Sequence, residues 1–312
     1  MSGIKTGSPL LAINIPIYNR SVFLDKMLSS FLADQDLFED KVSLFISDNC
    51  SSEPLADIVE RYREKGLCVR YSRNESNIGG DGNIRKCFRQ MGGKYVWALG
   101  SDDIPAPGVL RRIIGILENG DYGLLHLDNH SGNNGFTEFD SADDFFLKVH
   151  VWMTFISGNI VAARFIQDIP LEQYEQTSLQ QIPLFLAAGY GSERNAILSC
   201  DYLSPDSDAS NNGGYNLFKV FCDNFLSMLE SAVNAGTMSP KTFREIKRVT
   251  FRDFLAENFI IPLLILRKDS GFNVAGAWGM VFRHYGSCPY SYYYLARKLA
   301  GAFVNKFFRR SK

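Results

Sequence analysis

The sequence predicts an α/β fold with a mostly parallel central sheet flanked by helices, followed by a helical C-terminal region. Two observations carry this. Through the first 120 residues, short apolar runs alternate with amphipathic stretches, the pattern of parallel strands joined by crossover helices. The apolar runs are continuous and rich in branched residues, as in strands covered on both faces.

The elements follow in order. "LLAINIPIY" (10–18) reads as the first strand. "SVFLDKMLSSFLAD" (21–34) places Phe23, Met27, Leu28 and Phe31 at helical spacing, with Ser21 as N-cap. "VSLFISD" (42–48) is a second strand, and "EPLADIVERYREKG" (53–66) a helix with Pro54 early and Gly66 at its end. "CVRYSR" (68–73) is a third strand. A Gly/Asn-rich turn leads into a helix over 82–91, a strand over 94–100 and a helix over 107–120. Beyond these, 122–127 reads as a strand, "DNHSGNNGF" as a polar loop and 141–150 as a helix. Residues 154–165 read as a strand pair or a strand and turn, and 179–189 as a helix whose start is complicated by Pro183. The Ser/Asn/Gly-rich stretch 204–216 is the most loop-like in the chain. It marks the boundary between a first domain, 1–205 with halves 8–120 and 121–205, and a helical region, 206–312, with helices over 215–235, 240–268 and 290–309.

Composition narrows the function classes. The chain has 312 residues, 46% hydrophobic and 21% charged, with a formal net charge of −1, an ordinary globular composition that gives no electrostatic reason for a nucleic-acid partner. Six scattered cysteines without CxxC spacing point to reduced thiols in a cytoplasmic setting rather than a disulfide framework or zinc site. No signal peptide is expected at the N-terminus. The apolar run "FIIPLLIL" (259–266) is too short for a membrane span and contains Pro262.

Right-handed crossovers place the strand C-terminal ends on one edge, where ligands of such sheets bind. That draws attention to Asn19 and Arg20, Asp48 and Asn49, the 74–83 loop, and Ser101 to Asp103. Adjacent carboxylates at a strand end, Asp102 and Asp103, suit Mg²⁺ or Mn²⁺ and leave positions for diphosphate oxygens. Alternatively, Asp103 caps the helix starting near Pro105 or Pro107. Asp48 makes an Asx turn or caps the helix over 53–66, as Ser51 or Ser52 with Glu53 also could, or accepts a hydrogen bond from a nucleotide base. "NESNIGGDGN" (74–83) is neither GxGxxG nor a Walker A loop, which argues against a dinucleotide fold and a P-loop.

Taken together and in order, "IPIYNR", "SDNCSSE", "NESNIGGDGNIRKC" and "YVWALGSDDIPAPGVL" resemble family 2 glycosyltransferases of the GT-A fold, closely over 8–120 and loosely over 121–200. "SDN" and "GGDGN" resemble the abequosyltransferase-like branch of bacterial O-antigen transferases. The resemblance implies that Pro16, Tyr18 and Arg20 touch the nucleotide, Asp48 the base, and that Asn77, Gly79 and Asn83 line the nucleotide pocket. Ser101, Asp102 and Asp103 match the D-x-D-type motif, with Asp103 on the metal and Asp102 on the sugar or ribose. Ser157, Gly158 and Asn159 of "ISGNIVAAR" match the acceptor-shaping segment, or else form a turn between strands. One departure concerns the base that an inverting transfer requires. An acidic pair is expected near Ser178-Leu179, where the chain reads "EQTSLQQIP". Glu175 and Asp128 are the candidates left.

The implied reaction is metal-dependent (Mn²⁺ or Mg²⁺) inverting transfer from a nucleotide-diphosphate sugar to a glycan hydroxyl. The acceptor is expected to be polyprenyl-diphosphate-linked, in bacterial surface polysaccharide synthesis. A catalytically silent sugar-binding scaffold and a nucleotidyltransferase are the alternatives. His126, His130, His150 and His284 show no metal-ligand spacing, although His126 and His130 flank the acceptor loop. After Asp269 the sequence has no acidic residue but carries Arg283, Arg297, Lys298, Lys306, Arg309, Arg310 and Lys312. Residues 292–310 read as a basic amphipathic helix, suited to an anionic membrane surface, here the cytoplasmic face of the inner membrane, or to packing on the domain.

Overall fold

The computed structural model describes residues 8–90, 92–129, 134–204 and 214–309, with side chains as far as residue 300. Strand and helix alternate as expected in the first part: β1 (Leu11–Ile17), α1 (Ser21–Phe31), β2 (Val42–Asp48), α2 (Leu55–Glu64), β3 (Val69–Arg73), α3 (Gly79–Arg89), β4 (Tyr95–Ala98) and α4 (Val109–Asn119). There follow β5 (Leu124–Asp128), β6 (Gly135–Phe139), α5 (Ala142–Val149), β7 (Asn159–Ala162), α6 (Gln181–Gly191) and β8 (Asn195–Ser199). The chain divides into two compact units, residues 1–145 with 152–210, and residues 146–151 with 211–312. The boundary expected at 205/206 lies outside the described residues.

All eight strands of the first unit form one sheet in the order β3-β2-β1-β4-β7-β5-β8-β6. β3, β2, β1 and β4 are mutually parallel, β7 runs antiparallel between β4 and β5, β8 is parallel to β5, and β6 is antiparallel to β8. The C-terminal ends of β1, β2, β3, β4, β5 and β8 therefore share an edge with the N-terminal ends of β7 and β6. Leu11, Ile13 and Ile15 in β1, Leu44 and Ile46 in β2, and Tyr95 and Trp97 in β4 are essentially inaccessible to solvent, as their uninterrupted apolar sequences require.

Two strands depart from the expectation. β6 starts at the end of the expected polar loop, with Gly135 and Phe136, and runs on through residues for which no element was expected; its residues are mostly exposed, so this edge strand carries no apolar signature. β8, "NAILS", is buried but only five residues long, too short for periodicity to separate it from the helix before it. In 154–165 a 3₁₀ turn (Ile156–Gly158) leads into the single strand β7. Pro183 is the third residue of α6, where its missing N–H has no intrahelical partner to lose.

The second unit is helical. A π-helical turn (Lys219–Asn224) runs into α7 (Phe225–Asn234), where one continuous helix was expected. Ser239 caps α8 (Pro240–Val249), its Oγ accepting from Thr242 N at 3.1 Å. The expected 240–268 helix changes winding at Thr250 to a π-helical stretch, Thr250–Ile265, that contains Pro262. α9 (Ala277–Tyr285) was not anticipated, and α10 (Pro289–Arg309) covers the expected last helix. Phe251 packs on Tyr285 with ring centroids 4.8 Å apart, and Phe225, Leu229, Leu255 and Ile260 are fully buried around them. Among the described residues no helix is long and apolar enough to cross a membrane.

Candidate functional site

After β1 the chain turns through Asn19 and Arg20, both left-handed with φ of 57° and 64°. The turn is held from outside. Asn19 N donates to Ser51 Oγ at 2.7 Å, and Ser52 N donates to Asn19 Oδ1 at 2.9 Å. The Glu53 carboxylate accepts from Arg20 N at 3.2 Å and Ser21 N at 2.6 Å. Glu53 thus caps α1, the role expected of Ser21, while α2 has no side-chain cap. A carboxylate satisfies the orphan N–H groups and meets the helix dipole at once, and the bonds from Ser21 lower the Glu53 pKa. Tyr18, 48% exposed, stands beside this turn.

The Arg20 guanidinium reaches the second aspartate-bearing turn and pairs with Asp102, Nη1 to Oδ2 2.6 Å. That turn starts where β4 ends. Asp103 N donates to Gly100 O at 3.1 Å, Gly100 N donates to Ser157 Oγ at 2.8 Å, and Ser157 Oγ donates to Asp103 Oδ2 at 2.6 Å. Trp97 Nε1 holds the Ser157 carbonyl at 2.8 Å. A Cβ on Gly100 would lie 2.5 Å from Asp103 Oδ2, so only glycine lets this carboxylate fold back over the strand end. Burial pushes the Asp103 carboxyl up to about 6, against the lowering effect of the Ser157 hydroxyl; the neighbouring Asp102 charge adds to the rise. The alternative role of Asp103 as a helix cap is not realised: α4 starts at Val109, behind a left-handed Gly108.

At the end of β2, Asp48 is buried and internally engaged. Its Oδ1 accepts from Ser51 N at 2.9 Å and Ser51 Oγ at 2.5 Å, its Oδ2 from Tyr71 OH at 2.6 Å, and Arg73 Nη1 lies 3.8 Å away. The backbone bond comes from the N–H three residues on, so the expected Asx turn, which takes the N–H two residues on, is not formed; burial with the adjacent carboxylate raises the Tyr71 pKa. Asn77 and Asn83 serve an asparagine network. Asn49 Nδ2 donates to Asn77 Oδ1 at 2.8 Å, and Gly79 N donates to the same oxygen at 2.9 Å. Asn83 Nδ2 donates to Ser47 O at 2.8 Å, while its Oδ1 accepts from Ser47 Oγ at 2.7 Å. Gly79 is left-handed at φ 78°, a conformation glycine adopts without Cβ strain. These bonds seat the start of α3 on the sheet edge.

Across the sheet, the expected acceptor contacts need correction. Ser157 and Asn159 are 0% exposed, and their polar atoms are engaged within the protein. Asn159 Nδ2 donates to Phe155 O at 2.7 Å, and its Oδ1 lies 2.9 Å from His126 Nδ1. Ser157 bonds the turn that carries Asp103, and Asn159 bonds the segment just before Ser157 and His126 of β5. Gly158 lies under Tyr202, whose hydroxyl would be 3.3 Å from a Cβ there.

Sequence reasoning missed the strap after β8. Ala106 N donates to Tyr202 O at 2.8 Å and Ser204 N to Ile104 O at 2.7 Å, tying residues 202–204 along the chain just beyond Asp103. Burial raises the Tyr202 pKa, and the Asp103 and Asp128 charges raise it further. Asp128 ends β5, with Oδ2 3.5 Å from Ser199 Oγ. No sequence signal marks Tyr202, because the short strand that delivers it carries none of its own.

Glu175 is exposed and bound to Arg85 of α3. At Ser178, where the acidic pair was expected, the N–H donates to Asp81 Oδ2 of α3 at 3.2 Å. Pro16 and Ser101 are structural parts of the edge, paired with Ser47 in register and buried, respectively. His284 pairs with Asp223 at 2.8 Å; His130, Arg310 and Lys312 lie outside the described residues.

Among the described residues no three His, Cys, Asp or Glu cluster around one point. The Asp102–Asp103 turn nevertheless fits a divalent cation that shares its coordination with a ligand's phosphates. Arg20 neutralises Asp102, whereas Asp103 is desolvated, and its hydrogen bond comes from a neutral hydroxyl.

Comparison with known proteins accords with this geometry. Over 95 residues the chain is 33% identical to the abequosyltransferase RfbV of Salmonella typhimurium, covering 30% of this chain and 28% of that one. Over 107 residues it is 29% identical to the GalNAc(5)-diNAcBac-PP-undecaprenol beta-1,3-glucosyltransferase of Campylobacter jejuni, covering 34% of each. The chain thus spans about a third or less of these relatives. Its fold is that of the mannosyltransferase PcManGT of Pyrobaculum calidifontis, solved with GDP-Man and Mn²⁺, with a TM-score of 0.54, 17% identity and coverage of 96% and 81%. The family model for glycosyl transferase family 2 matches residues 12–174, more than half of the chain. An edge built from aspartate-bearing turns on a GT-A sheet, matched along that length, places the chain in glycosyl transferase family 2.

Proposed function

We propose that this protein transfers a sugar, with inversion, from a nucleotide-diphosphate sugar to a hydroxyl of a glycan acceptor in bacterial surface polysaccharide synthesis. The observation that carries the reading is the Gly100–Ser157–Asp103 turn, a desolvated carboxylate held at the ligand-binding edge beside the Arg20–Asp102 pair. The nucleoside lies along Tyr18, Asp48 and the 74–79 turn, and the diphosphate end reaches Asp103. Asp102, held by Arg20, orients the sugar or ribose. A bound Mn²⁺ or Mg²⁺ on Asp103 would offset charge on the departing diphosphate. Asp128 is the preferred base: it stands at the C-terminal end of β5 on the same edge, whereas Glu175 is held on α3 by Arg85. The acceptor is proposed to be polyprenyl-diphosphate-linked, as the name of the Campylobacter relative states for that enzyme, and the site of action the cytoplasmic face of the inner membrane.

The test is release of nucleotide from UDP-, GDP-, CDP- and dTDP-sugars with Mn²⁺, with Mg²⁺ and in EDTA. Activity that needs the metal, is lost in Asp103→Asn and falls about 10²–10⁴-fold in Asp128→Asn is expected. Full activity in EDTA would refute the metal role. Calorimetry that detects no binding of any nucleotide would favour the silent scaffold.

A further inference from the structure

The second unit exposes apolar surface that the transfer chemistry does not use. Trp278 and Phe282, 42% and 55% exposed, lie one turn apart on α9 with ring centroids 5.8 Å apart. The opposite face of that helix (Ala277, Val281 and Tyr285) is buried, so α9 already has its core contact and the outer pair is additional. α10 begins at Pro289 and carries Tyr292 and Tyr293, 51% and 68% exposed, near its start; Tyr292 OH donates to Gly286 O, just after α9, at 2.6 Å.

Charge indicates what covers this surface. From 270 to 312 the sequence has seven Lys and Arg and no Asp or Glu. In the structure Arg283 is paired with Asp223 and Lys298 with Glu257, which leaves Arg297, exposed on α10, as the cation of the described side chains in this stretch with no such pair; exposed aromatic rings with a cation close in sequence suit an anionic bilayer. Trp and Tyr favour the headgroup boundary, where an amphipathic ring contacts lipid and water together. Cations nearby are attracted to anionic headgroups.

We propose that the outer face of α9 and the first turn of α10 dock on an anionic phospholipid bilayer, with Trp278 and Phe282 entering the headgroup–acyl boundary and Arg297 beside the lipid phosphates. This sharpens the membrane-facing part of the proposed function by locating the contact on α9. It stands on the second unit alone.

The experiment is flotation of the full chain with vesicles of 70% phosphatidylcholine and 30% phosphatidylglycerol, against pure phosphatidylcholine, at low and high salt. Wild type should partition at least about tenfold better onto the anionic vesicles, and lose most of that preference in high salt. Trp278→Ala with Phe282→Ala should lower partitioning about tenfold or more, because two interfacial rings are removed. Trp278→Phe guards against a folding defect. It preserves the apolar face, so binding should persist, while quenching of tryptophan emission by brominated lipid should be lost. Absence of wild-type binding, equal binding by the double variant, or quenching that survives in Trp278→Phe would overturn the proposal. So would a wild-type dimer that the double variant dissociates without altered vesicle binding. No donor or acceptor is present, so a negative result leaves the transfer reading intact, and an inactive enzyme that still binds vesicles leaves this one intact.

Discussion

Replacing Ser157 with alanine separates a positioning role for this buried hydroxyl from the acceptor contact its sequence suggested. The hydroxyl bridges Gly100 N and Asp103 Oδ2 and is wholly inaccessible. The substitution removes a hydrogen bond to a carboxylate and leaves a strand-end N–H unpaired, a combined cost of ~2–4 kcal/mol. At about 2–4 °C per kcal/mol for a unit of this size, the melting temperature should fall by ~4–16 °C. The second consequence concerns pH. Burial holds the Asp103 carboxyl at about 6, and the Ser157 bond works against that rise. Without it the value climbs, so the acid limb of any metal-dependent activity, near pH 6 in wild type, should move to higher pH. Thermal melts with pH profiles of nucleotide release from a UDP- or GDP-sugar test both. An unchanged melting temperature together with an unmoved acid limb would refute the reasoning; a raised acceptor KM with neither change would restore Ser157 to the acceptor site.

Two further outcomes follow from the same geometry. Because the folded-state pKa of Asp103 lies above its ordinary 3.8, stability falls as pH rises between about 4 and 6, and above that window the ionised carboxylate costs ~3 kcal/mol. A cation on that carboxylate offsets the cost, so Mn²⁺ should raise the melting temperature at pH 7.5 and have little effect at pH 5, as read by scanning fluorimetry against EDTA. Asn83→Ala removes the bonds to Ser47 O and Ser47 Oγ, which should cost ~2–3 kcal/mol in denaturant unfolding and weaken nucleotide binding by loosening the start of α3.

Elements whose burial is uniform are legible in the amino-acid sequence. β1, β2 and β4 are apolar on both faces, and the amphipathic helices between them carry the 3.6-residue repeat. β6 escapes because an exposed edge strand has no need of apolar residues, and α9 because Gly276, Gly279 and Gly286 lie before, within and after it. In the site, the carboxylates stand out because adjacent aspartates after a buried strand are chemically conspicuous. Their partners do not, because hydrogen bonds between residues 32 to 57 positions apart leave no local pattern: Asn19 with Ser51, Arg20 with Glu53, Gly100 with Ser157.

Sequence alone determined the α/β class, the order of the first strands and helices, and the edge on which Asp48, Asp102 and Asp103 gather, since each depends on hydrophobic periodicity and the handedness of crossovers. Only the tertiary structure decided what those residues do to one another. It showed that Glu53 caps α1 in place of Ser21, that Ser157 and Asn159 are buried with their polar atoms bonded inside the protein, and that residues 202–204 run along the chain just beyond Asp103. Desolvation and hydrogen-bond geometry come from the packing of distant segments, and that packing, not residue type, gives Asp103 its raised pKa and Asp102 its arginine.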